Sequence, residues 1–160
     1  MITDAQLLFS DAQAVTASAA STNYVDLGPF GDPLGAATNS GIDIGHGTPV
    51  FAWVTCDVVM TDAGDDSTVV VTIQQDDNTA FSSATTVATF TTFAAESAAG
   101  TQYFVQLPPE LTYEKYLRAY FTVADGNLTT GSFSCGLSLD MPKWAGRAQG
   151  PQFSKGTAGS

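Results

Sequence analysis

The sequence predicts an all-β protein: a single antiparallel β-sandwich of about eight strands, with a jelly roll as the best match. Three observations lead there. Hydrophobicity alternates with a period of two along most of the chain, as in "GSFSCGLSLD" (131–140) and "STVVVTIQQ" (67–75). Gly, Pro, Asn and Asp clusters fall between the alternating runs. No stretch carries an apolar stripe at helical spacing over a useful length. With 160 residues and 44% hydrophobic content, the chain can close one core. An immunoglobulin-like sandwich is the alternative, but Trp53 precedes Cys56 by only three residues, which does not fit the Cys…Trp…Cys spacing of that fold.

The strands follow in order. "AQLLFS" (5–10) and "NYVDLG" (23–28) are the first two, separated by a bland, mostly uncharged linker rich in Ala, Ser and Thr. "TPVFAWVTCDVVM" (48–60) is a long apolar strand with Val54, Cys56 and Val58 on one face. In "STVVVTIQQ", Val69, Val71 and Ile73 point one way. "TTVATFTTF" (85–93) and "TQYFVQLP" (101–108) come next, the latter offering Tyr103, Val105 and Leu107. "KYLRAYFTVA" (115–124) sends Leu117, Ala119, Phe121 and Val123 inward and Tyr116, Arg118 and Tyr120 outward. The last strand places Phe133, Cys135, Leu137 and Leu139 on one face. The two cysteines are therefore expected to be buried small hydrophobes, with a cross-sheet disulfide as the alternative.

This divides the chain into a sandwich domain over 1–140, a long Gly/Pro-rich loop over 28–47, and a basic Gly-rich tail over 141–160. The net charge is −11. The tail holds Lys143, Arg147 and Lys155 and no acid, giving +3, whereas residues 1–142 hold 16 acids and two bases, giving −14. Such a body is a poor partner for nucleic acid, whose phosphates call for Lys and Arg. The basic tail, with Trp144 and Phe153 as anchors, suits an acidic surface such as another copy of the body. The first residues lack the basic and apolar regions of a secretory signal, and no apolar run has membrane-spanning length, so synthesis in a cytoplasm is expected.

Chemistry-bearing patterns are sparse. The single histidine, His46, lies between glycines in "IGHGTP", without a nucleophile elbow or further histidines for a metal site. The Asp-rich stretches "DAGDDS" (62–67) and "QDDN" (75–78) read as turns, with Ca²⁺ ligation as the alternative. No enzyme activity, cofactor or metal is expected. Candidate functional residues are instead contact residues: Tyr116, Arg118 and Tyr120 on the outward side of one strand, of types favoured at interfaces.

The stretch "AQLLFSDAQAVTASAASTNYVDLG" (5–28) resembles the N-terminal region of capsid cement (decoration) proteins of short-tailed bacteriophages, a jelly-roll family. The likeness is strongest over residues 4–28, and the strands through about residue 140 are compatible with it in order and length. The tail with Trp144 does not map onto the family pattern. The resemblance implies a non-enzymatic virion protein on the outer capsid surface, binding the major capsid protein where shell subunits meet. It also implies self-association, as a homodimer or else a trimer, with no nucleic-acid or membrane partner. On that basis the extended small-residue segment is expected to lie on another subunit, so Ala12, Val15 and Ser18 join Tyr116, Arg118, Tyr120, Lys143, Trp144, Arg147 and Phe153 as candidate interface residues. A carbohydrate-binding β-sandwich, Ca²⁺-dependent through the Asp-rich turns and stacking sugar on Tyr116 or Tyr120, is the competing expectation.

Overall fold

A computed structural model describes residues 4–28, 44 and 47–139. The expectations for most of the 28–47 loop, for His46 and for the 141–160 tail lie outside the described residues. A single 3-10 turn, Ala5–Leu7, opens the described chain, with the Asp4 carboxylate accepting the Gln6 amide at 2.9 Å. Eight strands follow: β1 (Leu8–Ala14), β2 (Ala19–Asp26), β3 (Phe51–Thr61), β4 (Thr68–Asp76), β5 (Thr85–Thr89), β6 (Gln102–Gln106), β7 (Tyr116–Ala124) and β8 (Thr130–Ser138).

They form two antiparallel four-stranded sheets, ordered β1-β8-β3-β6 and β2-β7-β4-β5. The first strand pairs with the last, the second with the seventh, the third with the sixth and the fourth with the fifth. Successive pairs fall alternately into the two sheets, which is a ribbon wound as a jelly roll. An immunoglobulin sandwich pairs its second strand with its fifth; here β2 pairs with β7.

The core sits where the inner faces meet. Ala52, Val54 and Cys56 of β3 and Phe133, Cys135 and Leu137 of β8 face Val69, Val71 and Ile73 of β4 and Leu117, Ala119 and Phe121 of β7, and all are buried. The rings of Tyr103, Phe93, Phe133 and Phe121 form a continuous train, with successive centroids 4.7, 5.2 and 5.6 Å apart. These offset and edge contacts are favoured beyond simple area burial.

One expectation about β3 needs correction. Val58 is 47% exposed, because register shifts against β8 on either side of it break the alternation and return Met60 to the interior. The cysteines are buried, as the alternation predicts, and are free, which sets aside the alternative of a cross-sheet disulfide. Register sets Cys135 opposite Val54 and Cys56 opposite Phe133, so the thiols are diagonal neighbours within one sheet. Burial raises both thiol pKa values, for Cys56 with help from Asp57, which keeps them protonated and unreactive.

The small-residue stretch after β1 is not a free arm. β1 belongs to one sheet and β2 to the other, so the chain must change sheets at residues 15–18. Val15 is 1% exposed and its amide bonds the Gly131 carbonyl at 3.0 Å. Thr16 accepts the Leu128 amide at 2.9 Å, and the Ser18 hydroxyl accepts the Val123 amide at 2.9 Å. The corner is thereby stitched to the β7–β8 connection. Ala12, at a bulge in β1 with φ of 44°, donates its amide to Ser134 Oγ at 2.9 Å.

Gln13 closes the edge beside this corner. Its Nε2 donates to the Ala20 carbonyl and its Oε1 accepts the Thr22 amide, each at 2.9 Å. One carboxamide thus supplies β2 with the donor and acceptor that a neighbouring strand would supply. Gln13→Ala is expected to lower stability by about 1–2 kcal/mol. Gln13→Glu, which keeps the shape but cannot donate to Ala20, should lose much of the same amount in urea denaturation.

Tyr113 locks the approach to β7. It is buried, and its hydroxyl donates to the Pro108 carbonyl at 2.8 Å. Burial pushes its pKa up to about 12 from 10.0. The unfolded chain therefore gives up this proton at lower pH than the folded one. The stabilisation is complete below pH 10 and is lost as pH rises through about 12. Tyr113→Phe should lose stability near neutral pH and show a shallower alkaline decline than wild type, read from urea midpoints across that window.

Candidate functional site

The outer face of the β2-β7-β4-β5 sheet gathers the side chains with the strongest contact chemistry. Alternation along β7 turns Tyr116, Arg118 and Tyr120 outward while Leu117, Ala119 and Phe121 enter the core. The neighbouring strands decide what they meet. Register sets Tyr24 of β2 and Gln74 of β4 on either side of Arg118. The Arg118 Nε–H donates to Gln74 Oε1 at 2.9 Å, which fixes the guanidinium on the sheet.

The guanidinium lies 4.3 Å from the centre of the Phe81 ring and 5.5 Å from that of Tyr120. Tyr24 meets Tyr116 edge-on at 5.4 Å and approaches Phe81 at 6.4 Å. Lys115 Nζ sits 4.9 Å over the Tyr116 ring. Burial lowers the Arg118 pKa, opposed by Tyr120 and Asp76, and the group stays cationic. The result is a linked patch of rings and cations with Tyr24, 48% exposed, as its most open member.

Phe81 comes from the β4–β5 loop, and Asp76 builds that loop. Asp76, fully buried at the end of β4, accepts the Ser83 amide at 2.8 Å, the Asn78 amide at 3.1 Å and Asn78 Nδ2 at 2.7 Å. Asn78 in turn accepts the Ala80 amide through Oδ1 at 3.0 Å, and its carbonyl accepts the Phe81 amide at 3.2 Å. Burial works against ionisation of Asp76, but these donors outweigh it and hold the carboxyl below its ordinary value. Glu114 moves the other way, raised by burial and by the nearby charges of Asp76 and Asp77.

The second Asp-rich turn works similarly. Asp62 is desolvated, yet the Gly64 amide, the Ser67 hydroxyl and the amides of Asp66 and Ser67 hold its pKa low. The Gly64 contact is 3.1 Å. In each turn the leading carboxylate, Asp62 or Asp76, accepts backbone amides of its own loop. Among the described residues, no three His, Cys, Asp or Glu side chains form a group able to hold a metal ion.

Of the residues singled out from sequence, Tyr116, Arg118 and Tyr120 do come together. Val15 is in the core and has no surface to offer a partner. Ala12 and Ser18 are exposed but belong to the β1–β2 corner and not to the ring cluster. Lys143, Trp144, Arg147 and Phe153 lie outside the described residues. Three members of the patch, Tyr24, Phe81 and Lys115, are absent from the sequence candidates. Tyr24 was within reach, because it alternates with the inward Val25, but its pairing with β7 is a long-range fact. Phe81 carries no signal in a run of turn residues.

A family model, Bbp16, matches residues 9–137, from the second residue of β1 to the penultimate residue of β8. A search of curated proteins returned no match. Since the match takes in both sheets and the whole aromatic face, the chain belongs to the Bbp16 family.

Proposed function

We propose that this protein is a capsid cement protein. It binds the outside of an icosahedral phage head, contacts the major capsid protein where shell subunits meet, and holds those contacts together without catalysing a reaction. Self-association, most simply as a homodimer, goes with this role. The observation that carries the proposal is the outer face of the second sheet, where Gln74 and Phe81 hold Arg118, Tyr120 lies beside its guanidinium, and Tyr24 packs against Phe81 and Tyr116. Tyr and Arg are the residue types that dominate protein interfaces, and rings held rigidly before binding lose little entropy on docking. The resemblance of residues 4–28 to cement proteins supports the same reading.

The two-sheet body suits a mechanical part. Its strands are cross-paired over long sequence separations, so a load on one edge is shared through the sheets. Affinity per copy need not be high if copies also join one another, because linked contacts on one shell reinforce each other. The body's acidity disfavours the packaged nucleic acid as a partner. Among the described residues, no helix is long and apolar enough to cross a membrane.

The test is co-sedimentation with heads assembled from the major capsid protein encoded alongside this chain. The protein should pellet with assembled heads at a fixed number of copies per head and fail to bind the unassembled subunit. Absence from the pellet, with retention on immobilised glycans, would move the assignment to a carbohydrate-binding module.

A further inference from the structure

One end of the sandwich carries an apolar groove of about 220 Å³, where the start of β1, the end of β2, the approach to β3 and the end of β8 converge. Leu7, Val25, Leu27, Val50 and Leu137 line it, and Leu139, 62% exposed, stands at its rim. Leu139 is also the last described residue, so the basic tail leaves the body at this groove.

We infer that the indole of Trp144, carried by the chain's own tail, seats in this groove. Reach permits it: Trp144 is five positions beyond Leu139, a contour of at most about 18 Å. Chemistry favours it: an indole brings a large apolar surface, of about 150–250 Å², to a cleft lined by aliphatic side chains. Charge favours it as well. Lys143 and Arg147 flank Trp144 in a segment, 141–160, without acids, while Asp4 caps the turn that ends at the groove-lining Leu7. The basic residues beside the indole are thus drawn to the carboxylate at the groove's edge and to the acidic body behind it. Seating ties the tail to one end of the sandwich and covers the exposed Leu139.

Fluorescence tests this without reference to shell binding. The chain has two tryptophans, so Trp53→Phe leaves Trp144 as the sole indole. Its emission should be blue-shifted and its quenching by acrylamide several-fold weaker than that of free N-acetyltryptophanamide, at every protein concentration. Leu139→Asp combined with Leu7→Asp should return both readings to the free values while circular dichroism stays that of the folded sandwich. If Trp53→Phe does not fold, the difference between wild type and Trp144→Phe isolates the same signal. Solvent-like emission and quenching overturn the inference. Protection that disappears on dilution also overturns it, by assigning the groove to the tail of a second copy. Protection that survives the groove substitutions overturns it by placing the indole elsewhere.

Discussion

Phe133→Ala is expected to cost about 3–5 kcal/mol, the range for deleting a buried aromatic ring. Phe133 is fully buried, in the strand that pairs with both β1 and β3. Its ring touches Phe93, which follows β5, and Phe121 of the opposite sheet, so one side chain joins the two layers. The surrounding strands are held by ladder hydrogen bonds and cannot collapse into the space. Against a typical total of about 5–15 kcal/mol, the loss would leave the variant marginal. Urea unfolding followed by circular dichroism gives the value. Phe133→Leu, which refills part of the volume, should recover much of it. A loss below about 1 kcal/mol would mean that the ring train does not carry the core.

Tyr24→Ala is expected to weaken binding to assembled heads by about tenfold or more, the scale of an interface anchor. Stability should barely change, because Tyr24 is the most exposed member of the patch and the core does not depend on it. Arg118→Ala should weaken binding at least as much and should also cost some stability. It removes the Gln74 hydrogen bond and the stack on Phe81, freeing the β4–β5 loop. Comparing the two variants separates contact from support. Full head binding by Tyr24→Ala, at unchanged melting temperature, would remove this face from the interface.

The sequence reading went furthest where the physics is local. Period-two alternation in β4, β7 and β8 identified the inward residues, because a strand with one buried face must alternate. The same rule put Tyr116, Arg118 and Tyr120 outside. It failed at Val58, where a bulge inserts backbone that no composition signal marks. It could not assign the linker, residues 11–22. Small uncharged residues look the same in an arm that reaches a neighbour and in a corner that changes sheets; only the bonds to Gly131, Leu128 and Val123 distinguish them. Phe81 was invisible for a related reason. Its place over Arg118 depends on a loop folded around Asp76, a contact set spread over 42 positions of the chain, from Asp76 to Arg118. Turn chemistry was legible as turns, but not as the scaffold of a binding face.

The central claim is that this protein reinforces a shell, and heat release of packaged DNA tests it most directly. Full heads with and without the purified protein would be warmed in the presence of a DNA-binding dye, and the temperature at which fluorescence appears recorded. The account predicts a higher release temperature for decorated heads, with the gain reduced by Tyr24→Ala in proportion to its lost occupancy. Equal release temperatures for bare heads and for heads shown to be fully decorated would contradict it.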